Sequence, residues 1–329
     1  MQFQKKKLTF SEYQKLLRLS KRSINLSYDD YINFINIIFG FYNPIKNFCS
    51  KSETESILLK GNINKKNCYI PMILPDRIKK DNNSFIKLIY EKKIVGIILK
   101  KENFSINKKK YLKSVFSSYS KEHPGVKKII NLKNNFVAGP MFYYEKNLLN
   151  DQIFKTYKKY VKKEKFLKKY IVFSTRNISH LGHQELHKNI VKKNKLAICL
   201  IVTSLNKHSI PFIEKSYFEL KKHYIYKNIF LFRLFLPQMY AGPKEAFLQA
   251  TIFKNFGFKG FAVGRDHAGV KKFYKKYQSQ AFIKKYKDFK LKIMSFKEQY
   301  ICKNCLTVLL KSKVRKYCKN KKKKICRIV

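Results

Sequence analysis

The sequence predicts two architectures in one chain: a mostly β part over residues 1–147, then an α/β part on a parallel sheet over residues 148–300. Two observations carry this. Short apolar stretches broken by polar turns fill the first part. Longer continuous apolar runs alternating with helical patterns fill the second, as in a parallel sheet covered on both faces.

The elements follow in order. SEYQKLLRL (11–19) and SYDDYINFINIIF (27–39) have helical spacing. YIPMILP (69–75), FIKLIYEKKIVGIILKK (85–101) and NNFVAGPMFYYE (134–145) are short alternating, strand-like stretches with turn punctuation. Residues 148–170 are lysine-rich, lack Gly and Pro, and read as a connecting helix. YIVF (170–173), KLAICLIVT (195–203), NIFLFRLFL (228–236) and GFAVG (260–264) read as buried strands. HQELHKNIVKKN (183–194) and KEAFLQATIFKNFG (244–257) read as helices, the second stopping at its glycine. Residues 301–329 form a cysteine-containing C-terminal segment.

Composition narrows the function. Apolar residues make up 45% of the 329, enough for a sizeable core. The formal net charge is +53, from 73 Lys+Arg against 20 Asp+Glu. Such a charge would fit a polyanion partner. The lysines, however, are spread along the whole chain and accompany abundant Ile, Asn, Phe and Tyr, the residues of A/T-rich codons. Codon bias accounts for them, and nucleic acid is not expected as a partner. The N-terminus is basic but has no apolar core of a signal peptide. No run approaches the ~18 apolar residues of a membrane span. A cytoplasmic location without membrane association is expected. Seven cysteines do not make a secreted disulfide framework. Cys49, Cys68 and Cys199 are isolated and read as reduced structural residues.

Two turns carry chemistry. STRNISHLGH (174–183) follows the first buried strand and opens a helix. Free N–H groups and the positive dipole end make such a place an anion site. Arg176 adds a charged fork for phosphate or sulfate. Asn177 can position an oxygen, His180 and His183 stand three apart, and Gly182 lets a ligand approach. The same residues also fit an ordinary helix start that happens to bear histidines. GFAVGRDHAGV (260–270) repeats the logic, with Arg265, Asp266 and His267 after Gly264, then Ala268 and Gly269. An Arg–Asp pair holding a loop is its plainer reading. Both turns fall at carboxyl ends of strands, where ligands bind in open parallel sheets. Neither has a Ser, Cys or Lys beside an evident base, so a covalent nucleophile is not expected. Positioning and charge stabilisation of an in-line transfer are.

The motifs resemble those of the ATP sulfurylase (sulfate adenylyltransferase) family, of the stand-alone bacterial and archaeal type. That family has a QTRNPxHxxH turn after a strand, a YAGPREA helix start and GRDHAG. Here these read STRNISHLGH, YAGPKEA (240–246) and GRDHAG (264–269). GFYNPIKNF (40–48), YIPMILP and EHPGV (122–126) resemble motifs of its PUA-like domain, and the resemblance spans roughly residues 8–310. It implies a Rossmann-like nucleotidyltransferase domain behind a PUA-like domain. The implied reaction is attack of sulfate on the α-phosphorus of Mg2+-bound ATP, giving adenosine 5′-phosphosulfate and pyrophosphate, or its reverse. By motif position, Thr175, Arg176, Asn177, His180 and His183 would be catalytic. Ser174, Thr175, Arg176, Asn177, Gly264, Arg265, Asp266 and His267 would line the ATP site. Ser174, Arg176 and the backbone at Ala268 would hold sulfate, while His180 and His183 steady the β- and γ-phosphates. A homo-oligomer, a dimer, is the expected assembly.

The chain departs from the pattern in places. Ser174 replaces a glutamine, Ile178 a proline and Lys244 an arginine, and Gln249 stands where a histidine is common. Ser174 predicts weaker sulfate binding. Cys302 and Cys305 form a CxxC knuckle, and with Cys318 and Cys326 they could hold a structural zinc ion or be a metal-free remnant. Lys322 stands at the family's histidine position. ICRIV (325–329) is expected to begin a segment that the family continues as a lid over the nucleotide. A basic RNA-binding protein, a different adenylyltransferase and a decayed relic of the family are the competing readings.

Overall fold

The computed structural model describes residues 7–77, 83–220, 222, 228–265, 267–270, 272–286, 289–302, 308–310 and 325–327. The second half is built on five parallel strands. Across the sheet they run Phe230–Phe235, Lys195–Val202, Tyr170–Thr175, Gly260–Val263 and Lys292–Ser295. In chain order this is third, second, first, fourth, fifth. The order reverses between Tyr170–Thr175 and Gly260–Val263, and a crevice opens at such a reversal, beyond the carboxyl ends of the strands.

The apolar runs explain the strands. All six residues of Tyr170–Thr175 and all four of Gly260–Val263 are buried, as are seven of the eight in Lys195–Val202. Strands covered on both faces lose the alternation that marks half-exposed ones. The fifth strand, Lys292–Ser295, has no fully buried residue. Its apolar pattern is correspondingly weak, and the sequence reading passed over it.

Helices complete the layers. Leu181–Val191 begins one residue beyond His180, whose extended backbone (φ −123°, ψ 171°) makes it the N-cap. Pro243–Phe256 buries eleven of its residues, polar Glu245, Gln249 and Thr251 among them. It stops at Gly257, which takes the left-handed conformation (φ +87°) that glycine adopts without strain.

The connecting region folds as helices Gln152–Val161 and Glu164–Leu167. The first has a structural task. Its fully buried Tyr157 hydroxyl donates to the Phe235 carbonyl (3.1 Å) and accepts from the Phe235 N–H (2.8 Å). Tyr160 Oη accepts from Arg233 N–H at 3.1 Å. Together they satisfy backbone groups along the outer strand of the sheet.

In the N-terminal half, Arg22–Asn25, Phe85–Tyr90, Lys93–Leu99 and Met141–Phe142 form one sheet. Leu74–Pro75, Phe136–Ala138 and Glu102–Phe104 form another. YIPMILP thus gives a strand only at its last two residues. Helices Phe10–Leu19, Tyr28–Ile38, Lys51–Lys60, Lys108–Phe116 and Pro124–Asn131 pack around these sheets. Tyr28–Ile38 is buried from Tyr31 to Ile38.

The two halves share one hydrophobic core. Phe41 stacks on Phe256 with ring centroids 3.9 Å apart. Asn36 Nδ2 donates to Phe235 O at 3.0 Å, and Asn255 Nδ2 donates to Phe41 O and Asn43 O at 2.8 and 3.0 Å. Asn255 thus serves two carbonyls at the junction, and Asn36 gives the Phe235 carbonyl a second donor beside Tyr157. Among the described residues no helix is long and apolar enough to cross a membrane.

Candidate active site

The two turns meet. Tyr170–Thr175 pairs directly with Gly260–Val263, with Phe173 opposite Ala262. The segments that leave these neighbouring strands line a single cleft of about 630 Å³. Ser174, Thr175, Arg176, Asn177, His180 and His183 form one wall, and Gly264, Arg265, His267 and Ala268 the other. Asp266 lies outside the described residues. A Cβ added at Gly264 would meet nothing within 4 Å, so this glycine opens onto the cleft.

The first wall is fixed by local bonds. Thr175 Oγ1 accepts from Asn177 N–H at 3.0 Å, closing a tight turn directly after the strand. His180 Nδ1 accepts from His183 N–H at 3.4 Å, and the two imidazoles stack 3.8 Å apart. Phe173 packs edge-on against His183 at 4.9 Å and His187 at 4.6 Å. Burial therefore pushes His183 down to about 4, with His180 adding to the shift, and pushes His180 itself down as well. Both rings are neutral near pH 7, so Arg176 is the fixed positive charge on this wall. Arg176 Nη2 lies 3.7 Å from Glu245 Oε1. That is an ion-pair distance too long for a hydrogen bond, which leaves the guanidinium's donors for a ligand.

The walls are tied together beneath the cleft. Gln249 is buried, and its Oε1 accepts from Ser174 Oγ at 3.1 Å and from His267 Nε2 at 2.9 Å. A carboxamide oxygen only accepts, so His267 carries its proton on Nε2. Burial pushes His267 down to about 4, with Arg176 adding to the shift. Gln249 also hydrogen-bonds Glu245, whose carboxyl burial raises against the pull of Arg176. One amide thus links Ser174, His267 and, through Glu245, Arg176.

Arg265 lines the cleft and is held there by a distant partner. Its guanidinium pairs with Glu298, a residue 33 positions further on, and both side chains are nearly buried. Lys276 and the Tyr300 hydroxyl also reach Glu298, at 3.8 and 2.8 Å. Burial alone would raise Glu298, but Tyr300, Arg265 and Lys276 hold it below the usual carboxylate value. Nothing local in the sequence announces this pair. Ala268 has a φ of +57°, a left-handed conformation costly for a residue with a Cβ.

Neither hydroxyl at the end of the first strand faces a base: Ser174 bonds an amide and Thr175 bonds backbone. Among the described residues no three His, Cys, Asp or Glu groups are arranged to hold a metal ion. Cys305 and Cys318 lie outside the described residues. Cys302 and Cys326 are on paired strands, Cys302 opposite Ile325 and Cys326 opposite Ile301. The zinc reading finds no support among the described residues.

Comparison with known proteins matches residues 151–328 to the ATP-sulfurylase family model and residues 4–146 to the PUA-like domain. The chain belongs to the ATP-sulfurylase family. As a member it is a nucleotidyltransferase. A sulfate adenylyltransferase of Ignicoccus hospitalis is 29% identical over 314 residues, covering 89% of this chain and 80% of that protein. That of Hyperthermus butylicus is 30% identical over 290 residues, covering 82% and 72%. That of Carboxydothermus hydrogenoformans is 28% identical over 314 residues, covering 91% and 82%. A solved structure titled as a hexameric APS kinase from Thiobacillus denitrificans has the same fold, with a TM-score of 0.69 at 12% identity. The match covers 97% of this chain and 59% of that longer one.

Family membership sharpens the meaning of Ser174. The glutamine expected at 174 is absent, but the amide of Gln249 reaches the Ser174 hydroxyl from the neighbouring helix. A Ser174→Gln side chain would have to enter space that Gln249 fills. Alone, this substitution is expected to destabilise the fold by about 1–3 kcal/mol. The reciprocal swap, Ser174→Gln with Gln249→Ser, should restore the thermal midpoint. A single variant as stable as wild type would contradict this.

The histidines set a pH dependence. His183, His187 and His267 are depressed to about 4, 3 and 4, against 6.5 for the ordinary group. Below 6.5 the unfolded chain binds protons that the folded chain refuses. Stability should be full above pH 6.5 and fall as pH drops toward 4. Thermal midpoints across that range read it, and His187→Leu should flatten the slope. A flat wild-type profile would refute the assignment.

Proposed function

We propose that the chain is a sulfate adenylyltransferase, converting ATP and sulfate into adenosine 5′-phosphosulfate and pyrophosphate or running the reverse. One observation carries this reading. Turns bearing Arg176, His180 and His183 on one side and Arg265 and His267 on the other line one cleft at the strand reversal, and among the described residues neither Ser174 nor Thr175 is paired with a base. The cleft suits a polyphosphate and a second oxyanion together.

Each group has a part. Arg176, with its guanidinium donors available, holds sulfate beside Ser174 and the backbone at Ala268. Thr175 and Asn177 shape the turn against the α-phosphate. Neutral His180 and His183 donate N–H bonds to the β- and γ-phosphates and steady the charge that develops on departing pyrophosphate. Gly264, Arg265 and His267 line the nucleotide. Sulfate oxygen attacks the α-phosphorus in line, the bond to pyrophosphate breaks, and no enzyme-bound adenylyl group forms. Holding the two anions in attack geometry supplies much of the rate. Mg2+ enters with ATP as part of the substrate. The cleft offers Arg and His donors rather than a carboxylate cluster, so the phosphates would hold the ion.

The test is pyrophosphate-dependent ATP formation from adenosine 5′-phosphosulfate. Wild type should be active, and His183→Ala should lose about 10²–10³-fold in kcat. Folded wild type without activity would overturn the proposal and leave a decayed relative.

A further inference from the structure

His123 belongs to the EHPGV turn of the N-terminal half, yet its ring reaches the loop that walls the cleft. The ring is fully buried, with Phe116 and Phe273 at 5.0 and 4.7 Å. Its Nδ1 accepts from the N–H groups of Gly125 and Val126, at 3.1 and 3.3 Å, and so caps the helix Pro124–Asn131. A nitrogen that accepts such bonds bears no proton, so the neutral ring carries its proton on Nε2. Burial pushes the ring's pKa down, which favours this neutral form. Nε2 lies 3.1 Å from the Tyr274 hydroxyl, and that hydroxyl donates to the Tyr240 carbonyl at 2.8 Å. The donors therefore run one way: imidazole to phenol, phenol to carbonyl.

The receiving end is strained. Tyr240, which lines the cleft, has a φ of +59°. An aromatic residue keeps that conformation only where its surroundings enforce it. Two residues on, Gly242 has a φ of +51°, and a Cβ there would come within 2.7 Å of the Tyr274 ring. The N-terminal half presses on the same loop, since a Cβ at Gly125 would lie 2.9 Å from Met239 O. Between Tyr240 and Gly242, Ala241 N–H donates to Glu245 Oε2 at 3.2 Å, and Glu245 faces Arg176.

We infer that His123 is a positioning residue: through Tyr274 it holds the strained Tyr240–Gly242 turn, and with it Glu245 and Arg176, in the arrangement that grips the oxyanion. This rests on the adenylyl-transfer reading of the cleft. It makes the N-terminal half a working part of the active site rather than an appended domain.

Two variants test it. Tyr274→Phe removes only the hydroxyl and keeps the ring against Gly242. His123→Asn keeps an oxygen able to cap the helix but falls short of Tyr274. Each should lose about 10-fold in kcat/KM for adenosine 5′-phosphosulfate, and the double variant should be no worse than the worse single one, because both act through one chain. A purely structural role would lower the thermal midpoint and leave kcat/KM of the folded protein unchanged. Wild-type kcat/KM in Tyr274→Phe, or losses that multiply in the double variant, would overturn the inference. If wild type itself is inactive, the functional reading fails separately. The dissociation constant for adenosine 5′-phosphosulfate, measured on the same four proteins, then decides, with the same pattern expected.

Discussion

The site depends on the parallel pairing of Tyr170–Thr175 with Gly260–Val263. These strands lie about 85 residues apart in the chain, yet they must be immediate neighbours for their following turns to meet. Gly260 permits that contact. A Cβ there would come within 2.4 Å of Lys292 O and 2.7 Å of Ile171 Cδ1, so the strand closes up against Tyr170–Thr175 on one side and Lys292–Ser295 on the other only without a side chain at this point. From this pair the strand order runs outward in opposite directions, which leaves the crevice open.

Electrostatics refine what the topology provides. A chain of +53 offers cations everywhere, so charge alone cannot mark a site. The cleft differs by being built from neutral, desolvated imidazoles around few fixed charges. Desolvation keeps His183 neutral, with one N–H to donate, and Gln249 and Glu245 hold His267 and Arg176 in register. Donors fixed before the ligand arrives need little reorganisation as charge develops.

Much of this was legible in the sequence where the physics is local or repeats along the chain. Four continuous apolar runs gave four of the five parallel strands, and GRDHAG and the TRN–H–H turn gave the two walls. The fifth strand escaped because Lys292 and partial exposure break its apolar signal. The Arg265–Glu298 pair, the Gln249 hub and the His123–Tyr274–Tyr240 chain escaped for another reason. Their partners stand 33, 18 to 75, and 34 to 151 residues apart, and no periodicity encodes such contacts. The three-residue spacing of His180 and His183 does not tell their roles apart; His180 caps the helix, which commits its Nδ1 and leaves Nε2 for a ligand.

The most direct test is a crystal structure of the chain with adenosine 5′-phosphosulfate bound. The phosphosulfate should lie between the Thr175–His183 turn and the Gly264–Gly269 turn, with sulfate oxygens on Arg176. Ligand density elsewhere on the basic surface, with the cleft empty at saturating concentration, would contradict the assignment of this cleft.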